Sequence, residues 1–424
     1  MKTLHLLKLT LFFAASMMLA QSAIGQYTRP QLQYFRPNDA RGLNMFETPK
    51  EDTVGFDGVK VRVGGDFAVV FQGISQENDL VGDTLVELSN NLALPTANLN
   101  LDVQLMDGVR LHLRTYLSSR HHPEAWVKGG YLQMDKLDFI SPGFLSGLMD
   151  ITTIRVGMDE INYGDAHFRR SDNARSIYNP FVGNYIMDAF TTEPFIEFTF
   201  QPADFLIVAG VSNGRLNQSP TAGDDGIVFF GKLGYDSQIS DDFRLRLTGS
   251  MYTSSDRSTR DYLYNGDRAG ARYYSVLEGE NDARVSDFEP RFNPGFPSQT
   301  AFQFNPFIKY RGLEFFGILE TTSNGDSDIG GGFNQTAAEV IYRFGTREQI
   351  FLGARYNAIS GEFAEDTDEI NINRFNIGGG WFMSKNVVAK LEYVTSSYGG
   401  DGYDGTKYQG ANFNGFVIEA AISF

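Results

Sequence analysis

The stretch "ANFNGFVIEAAISF", Ala411–Phe424, ends the chain and decides how the rest of it reads. Counting back from the terminus, every second residue is apolar: Phe424, Ile422, Ala420, Ile418, Phe416. Between them stand Ser423, Ala421, Glu419, Val417 and Gly415, which are smaller or polar. A period of two is a strand with one oily face and one wetter face. This strand stops on an aromatic residue with no polar tail, so its oily face calls for an apolar medium outside.

The same period recurs along the chain. "NLNLDVQL" sets Leu99, Leu101, Val103 and Leu105 against Asn98, Asn100, Asp102 and Gln104. After the turn "MDG", "VRLHLRTYL" sets Val109, Leu111, Leu113 and Leu117 against Arg110, His112, Arg114 and Tyr116. "FRLRLTGSM" (Phe243–Met251), "FQFNPFIKY" (Phe302–Tyr310) and "VVAKLEYV" (Val387–Val394) alternate in the same way. A soluble sandwich also alternates, so the connections must decide. Short ones ("MDG", "QPAD", "YRG", "GTRE", "SKN") take turns with long polar ones at 76–93, 160–186, 215–226, 255–298, 322–334, 361–369 and 398–409.

Short turns on one side and long loops on the other predict an all-β fold: a transmembrane antiparallel β-barrel of about 16 strands, with 14 to 18 compatible with the pattern. Closure pairs every strand amide with a neighbour, the condition for crossing lipid without helices. The first strand, near 60–75, closes against the last, near 411–424; the spans near 125–137 and 226–236 are the least regular. Both termini then lie on the periplasmic side.

The N-terminus fits export. Lys2 and Lys8 precede the apolar run "LTLFFAASMMLA" and the small-residue exit "QSAIG", which is the order of a secretory signal peptide over residues 1–25. Residues 26–58 read as a polar, irregular N-terminal periplasmic segment, a flexible lead in preference to a small plug, and 59–424 as the barrel. The chain has no cysteine, so it holds no disulfide or thiolate chemistry. Its longest oily patch, "FISPGFLSGLM" (Phe139–Met149), is broken by Ser, Pro and Gly, and no run is long enough for a membrane helix. A net charge of −16 argues against a nucleic-acid partner.

Function depends on the interior. The inward positions carry cations (Arg110, Arg114, Arg244, Arg246, Lys309, Arg355, Lys390) and anions (Asp102, Glu314, Glu320, Glu392, Glu419). Such a wall suits a water-filled lumen, with structural ion pairs in a filled interior as the alternative. The segment "EINYGDAHFRRSDNARSIYNPFVGNYIMD" (Glu160–Asp188) is suited to narrowing that lumen. Folded inward, it buries Phe181, Val182 and Tyr185 on the wall and leaves Arg169, Arg170 and Arg175 near the axis, where their planar forks suit carboxylate or phosphate. Folded outward, its arginines pair with Asp165 and Asp172. The candidate constriction residues are therefore Arg169, Arg170 and Arg175 with Arg110, Arg114, Arg244 and Arg246 of the wall. The longest loop, Ser254–Ser298, reads as a folded cap over the mouth.

"TTIRVGMDEINYGDAHFRRSDN" (Thr152–Asn173), followed by "TTEPFIEF" (Thr191–Phe198), resembles the middle of Gram-negative porins of the phosphate-selective porin O and P superfamily. The resemblance implies an outer-membrane channel for small hydrophilic solutes, surrounded by outer-membrane lipids, and leaves a homotrimer open. It departs in charge, since this chain is acidic throughout and phosphate-selecting members carry a basic ladder. The terminal spacing of Phe424, Ile422, Ile418 and Phe416 resembles the signal by which the barrel-assembly machinery recognises its clients.

Other functions are weighed against the channel. A barrel hydrolase would need a His-based pair at the rim, for which "RHHPE" (Arg120–Glu124) is the candidate, yet no serine stands in a GxSxG context. The acidic turns "NGDSD" (Asn324–Asp328) and "GDGYDG" (Gly400–Gly405) match no complete calcium loop. The expectation is no catalytic residue, metal or cofactor. An outer-membrane anchor, or a subunit of an uptake or secretion complex, is the remaining alternative.

Overall fold

The structure, a computed structural model, describes residues 29–82, 85–116, 125–171, 175–214, 226–255, 263–266, 272–280, 282 and 288–424. The strands are β1 (Lys60–Glu77), β2 (Asn91–Met106), β3 (Val109–Tyr116), β4 (Trp126–Met134), β5 (Thr152–Glu160) and β6 (Thr192–Phe200). There follow β7 (Phe205–Ser212), β8 (Val228–Ser240), β9 (Phe243–Ser254), β10 (Tyr273–Tyr274), β11 (Phe288–Glu289) and β12 (Gln299–Tyr310). The last are β13 (Leu313–Asn324), β14 (Gly332–Phe344), β15 (Ile350–Glu362), β16 (Ile370–Ser384), β17 (Val387–Gly399) and β18 (Asn412–Ser423). Sixteen of them form one closed antiparallel barrel in chain order; β10 and β11 make a separate two-stranded ribbon. β1 and β18 close the ring, in register from Asp66 opposite Ser423 to Glu77 opposite Asn412.

The strands form where the sequence alternates, and each face then has one fate. Outward residues such as Leu352, Ile377 and Phe416 are half-exposed or more. Inward residues on the same strands, such as Arg355, Asn376 and Glu419, are almost fully buried. Many inward charges sit directly opposite their counter-ions. Glu339 on β14 faces Arg355 on β15 at 2.7 Å. Lys390 on β17 faces Glu419 on β18 at 2.5 Å, and Arg155 on β5 faces Glu197 on β6 at 3.1 Å. A one-residue slip would turn these charges toward lipid, so the pairs pin the register as firmly as the apolar face does.

The connections sort by side. The β2–β3, β6–β7, β8–β9, β12–β13, β14–β15 and β16–β17 connections are tight turns at one rim, and both ends of the barrel sheet lie there. Gly108 closes the β2–β3 turn at φ +67°, where an added Cβ would meet the Lys136 backbone nitrogen at 2.9 Å. The longest connection at this rim is the β4–β5 one, whose Phe139, Ile140, Phe144, Leu145 and Leu148 are exposed. The long connections lie at the other rim.

The segment before β1, expected to be a flexible lead, instead crosses the turn-side mouth. Gln33 hydrogen-bonds Gln104 and Asp107, Asn38 donates to the carbonyls of Gly65 and Phe424, and the Ala40 amide donates to Lys385. Phe46 packs on Phe168 and Phe307 inside the ring, and Lys50 pairs with Asp135 at 2.9 Å. The physical reason is in its composition: Leu43, Met45 and Phe46 have an apolar seat within reach, and Glu47 has buried cations to meet.

Ile377 lies mid-strand on the outer face. We expect Ile377→Arg to cost about 2–4 kcal/mol, the depth-dependent cost of an arginine on a lipid face, read as a lower urea midpoint in lipid vesicles. A comparable midpoint for wild type and variant would mean that this face does not meet hydrocarbon.

Candidate functional site

Three segments enter the ring that the strands enclose. The first is the strap just described, residues 29–57. The second is the β5–β6 connection, whose backbone amides bond to inward wall residues: Gly164 to Ser250, Asp165 to Asn305, Ile186 to Asn357 and Met187 to Gln335. The third is the described part of the β9–β12 connection. There Tyr264 donates to Glu320 at 2.7 Å, Tyr273 donates to Glu392 at 2.7 Å, and Arg272 pairs with Glu419 at 2.6 Å. Phe292 and Phe296 pack on Phe333 of β14. The described part of the long loop thus reaches down into the barrel.

The β5–β6 connection folds into the lumen and buries Phe181, Val182 and Tyr185. Its arginines do not stand open along the axis. Arg169 pairs with Glu339 at 2.6 Å and bonds Asn44 of the strap. Arg170 pairs with Asp188 at 2.8 Å and lies 3.5 Å over the Phe190 ring; Arg175 pairs with Glu160. Of the wall residues, Arg110 pairs with Asp102, Arg114 with Asp159, and Arg244 with Asp236. Arg246 binds Asp165, Asp236 and Glu47 together. Of the two acidic partners that the outward arrangement gave to the loop arginines, Asp165 belongs instead to the wall cations Arg246 and Lys232, each at 2.8 Å, and Asp172 lies outside the described residues.

Asp165 and Glu47 make one cluster with Lys232 and Arg246, which ties loop, strap and wall at a single point. Burial alone would raise both carboxyls, but Arg246 and then Lys232 outweigh it. Asp165 is held well below the usual carboxylate range and Glu47 at about 2. Burial pushes the His167 imidazole down to about 4, against the opposing hydrogen bond from Glu160.

Sequence reasoning found the loop and the wall but missed the strap residues Arg36, Asn44 and Glu47. The signal was present: "LNMFE" (Leu43–Glu47) is too apolar for a solvated lead, as "YNPFVGNY" is for a solvated loop. The spaces left inside have charged side chains in their linings. At the turn side an opening of about 670 Å³ is lined by Asp242, Arg244, Lys309, Arg343 and Glu348, and one of about 330 Å³ by Asn44, Glu47, Asp236 and Arg246. Deeper, a cavity of about 120 Å³ lies between the strap, β1–β6 and the β5–β6 connection.

Among the described residues no group of three or more His, Cys, Asp or Glu side chains could hold a metal ion, and no helix is long and apolar enough to cross a membrane. The "RHHPE" stretch lies outside the described residues.

No protein-family model matches the chain, and no curated protein matches it. Solved structures do. OmpT of Vibrio cholerae in a trimer form is 13% identical, with a TM-score of 0.52 over 87% of this chain and 100% of that one. The outer membrane channel DcaP of Acinetobacter baumannii is 12% identical, TM-score 0.52, over 87% and 99%. An anion-selective porin from Comamonas acidovorans is 11% identical, TM-score 0.51, over 86% and 100%. At such identities the likeness is one of fold. The chain has the closed antiparallel β-barrel fold of these outer-membrane channels.

Asp165→Ala removes the shared counter-ion of two buried cations. We expect a loss of about 3–5 kcal/mol, the usual cost of breaking a buried pair, seen as a lower denaturation midpoint in detergent; an unchanged midpoint would mean the cluster is solvated. Glu47 sits below its ordinary 4.5, so its contribution is present above that value and lost only as pH falls through about 2. Protease cleavage within 29–57 should therefore be equally slow at every pH from neutral down to that of an ordinary glutamate. Release of the strap in mildly acidic buffer would contradict the clamp.

Proposed function

We propose that this protein is an outer-membrane channel for small hydrophilic solutes, in which the strap and the β5–β6 connection together set a narrow passage. The observation that carries the reading is the inward wall. Strand after strand presents charged or amide side chains to the interior, and the turn-side opening of about 330 Å³ shares Phe46, Glu47 and Gln201 with the cavity of about 120 Å³. A barrel built only as a scaffold has no need for so many buried ions, each expensive unless paired. The turn-side rim is then periplasmic, as the retained termini and short turns of such barrels imply. Passage is passive and involves no chemical step. Both described histidines of the wall and loop are held by carboxylates, His112 by Asp102 and His167 by Glu160, as structural groups. Arg169, Arg170 and Arg175 act as the paired inner lining of the constriction rather than as open charges. The trimer form of the Vibrio cholerae structure supports a homotrimer here, with lipid around it and the barrel-assembly machinery recognising Phe424, Ile422, Ile418 and Phe416.

The close filling of the ring by three segments favours a second reading, a non-conducting anchor or subunit of a larger complex. Planar-bilayer recordings separate the two. We expect small discrete steps from the full barrel and larger ones after deletion of residues 29–57. Absence of steps from both proteins, with folding verified by heat-modifiable migration, would leave the anchor.

A further inference from the structure

Among the described residues that line the cavity of about 120 Å³, one cation lacks a counter-ion. Arg36, on the strap, donates from Nε and Nη2 to the Gly42 carbonyl and from Nη2 to the Phe168 carbonyl, and stacks 4.1 Å over the Tyr178 ring. No carboxylate among the described residues lies within ion-pair distance of it, and its Nη1 is buried without a hydrogen-bond partner. Desolvation lowers its pKa to about 10, with Arg175 and Arg169 adding to the effect against Tyr178 and Glu160.

The carboxylates lining the same cavity are already engaged. Asp102 serves Arg110 at 3.2 Å, His112 at 2.8 Å and Arg62 at 3.7 Å. Glu160 is taken by Arg175, Glu197 by Arg155 and Glu47 by Arg246. Arg36 is thus left over on one side, and Arg62 shares a single carboxylate with two other groups on the other. A guanidinium buried without an anion costs several kcal/mol, and the enclosed space beside it is polar enough to hold one.

We propose that this cavity is a binding site for a short-chain monocarboxylate, whose carboxylate accepts from Nη1 of Arg36. The inference rests on the channel reading and names the class of solute the passage would hold. Three features choose the class. The volume of about 120 Å³ matches a molecule of a few heavy atoms. The rings of Phe35, Tyr131 and Phe168 line it, which suits a carbon skeleton. The Arg36 Nη1 is buried, and taking a doubly charged anion such as phosphate out of water to reach it costs more than taking a singly charged one. His112, with Nδ1 bonded to Asp102, has Nε2 buried without a partner, so a hydroxyl on the ligand, which can donate or accept, is also accommodated.

The test is equilibrium binding to the full mature barrel in detergent by isothermal titration calorimetry, with acetate and lactate as probes and inorganic phosphate as the comparison. One saturable site for a monocarboxylate is expected. Arg36→Gln should weaken it roughly tenfold or more, as loss of a charge-assisted hydrogen bond does, and Arg36→Lys should restore part of it. Thr48→Trp fills the cavity from the strap without removing charge and should abolish binding, which keeps the test decisive if Arg36→Gln folds poorly. Binding of phosphate in preference to both carboxylates, undiminished binding by Arg36→Gln or Thr48→Trp, or no saturable binding by the wild type would each overturn the site. A barrel that binds but does not conduct would sink the channel and keep the site; one that conducts but does not bind would do the reverse.

Discussion

Everything in this molecule depends on where a charge on a strand may point. In a closed barrel each residue faces either lipid or the interior, and a carboxylate or guanidinium has only the second choice. The chain places those residues on one parity of its strands, so closure gathers them into one enclosed space. There they must find each other. Glu339 with Arg355, Lys390 with Glu419 and Arg155 with Glu197 do so across neighbouring strands. The wall charges also draw in the segments that fill the ring: Arg169 of the β5–β6 connection joins Arg355 on Glu339, and Glu47 of the strap joins Arg246 and Lys232.

The barrel was legible because its rule is local. Alternation over a few residues assigns a face, and the spans read from 60–75 to 411–424 overlap the sixteen observed strands, the irregular ones near 125–137 and 226–236 included. The β5–β6 connection was half legible. Its apolar end marked it as packed, and the order Phe181, Val182, Tyr185 gave the buried residues, but nothing in the spacing says that Arg169 pairs with a glutamate 170 residues away. Partners at that distance are set by the ring, not by the neighbourhood.

The strap was not legible for the same reason. Residues 26–58 have no period, since the segment makes no ladder and takes its contacts one at a time from different strands. Gln33 reads the β2–β3 turn, Ala40 the β16–β17 turn and Lys50 the β4–β5 connection. Composition showed the apolar cluster at Leu43–Phe46 but could not show that a seat for it exists until the barrel is closed. The assembled cluster of Glu47, Asp165, Lys232 and Arg246 draws on four separate stretches of the chain, which leaves no compact motif to recognise.

Asn38 donates to two carbonyls, one from Gly65 near the start of the first strand and one from Phe424, the last residue of the chain. Those two carbonyls meet only at the seam where the ring is sewn shut, and Arg29 lies 5.0 Å over the Phe424 ring at the same place. The first part of the barrel region to be synthesised is therefore fastened to the last. A chain still short of its final strand offers Asn38 only half of its seat, and the strap of an unfinished barrel hangs loose. Closure of the ring is thereby written into the mouth of the barrel as a geometric fact: the rim is fully fastened only when the last strand has paired with the first.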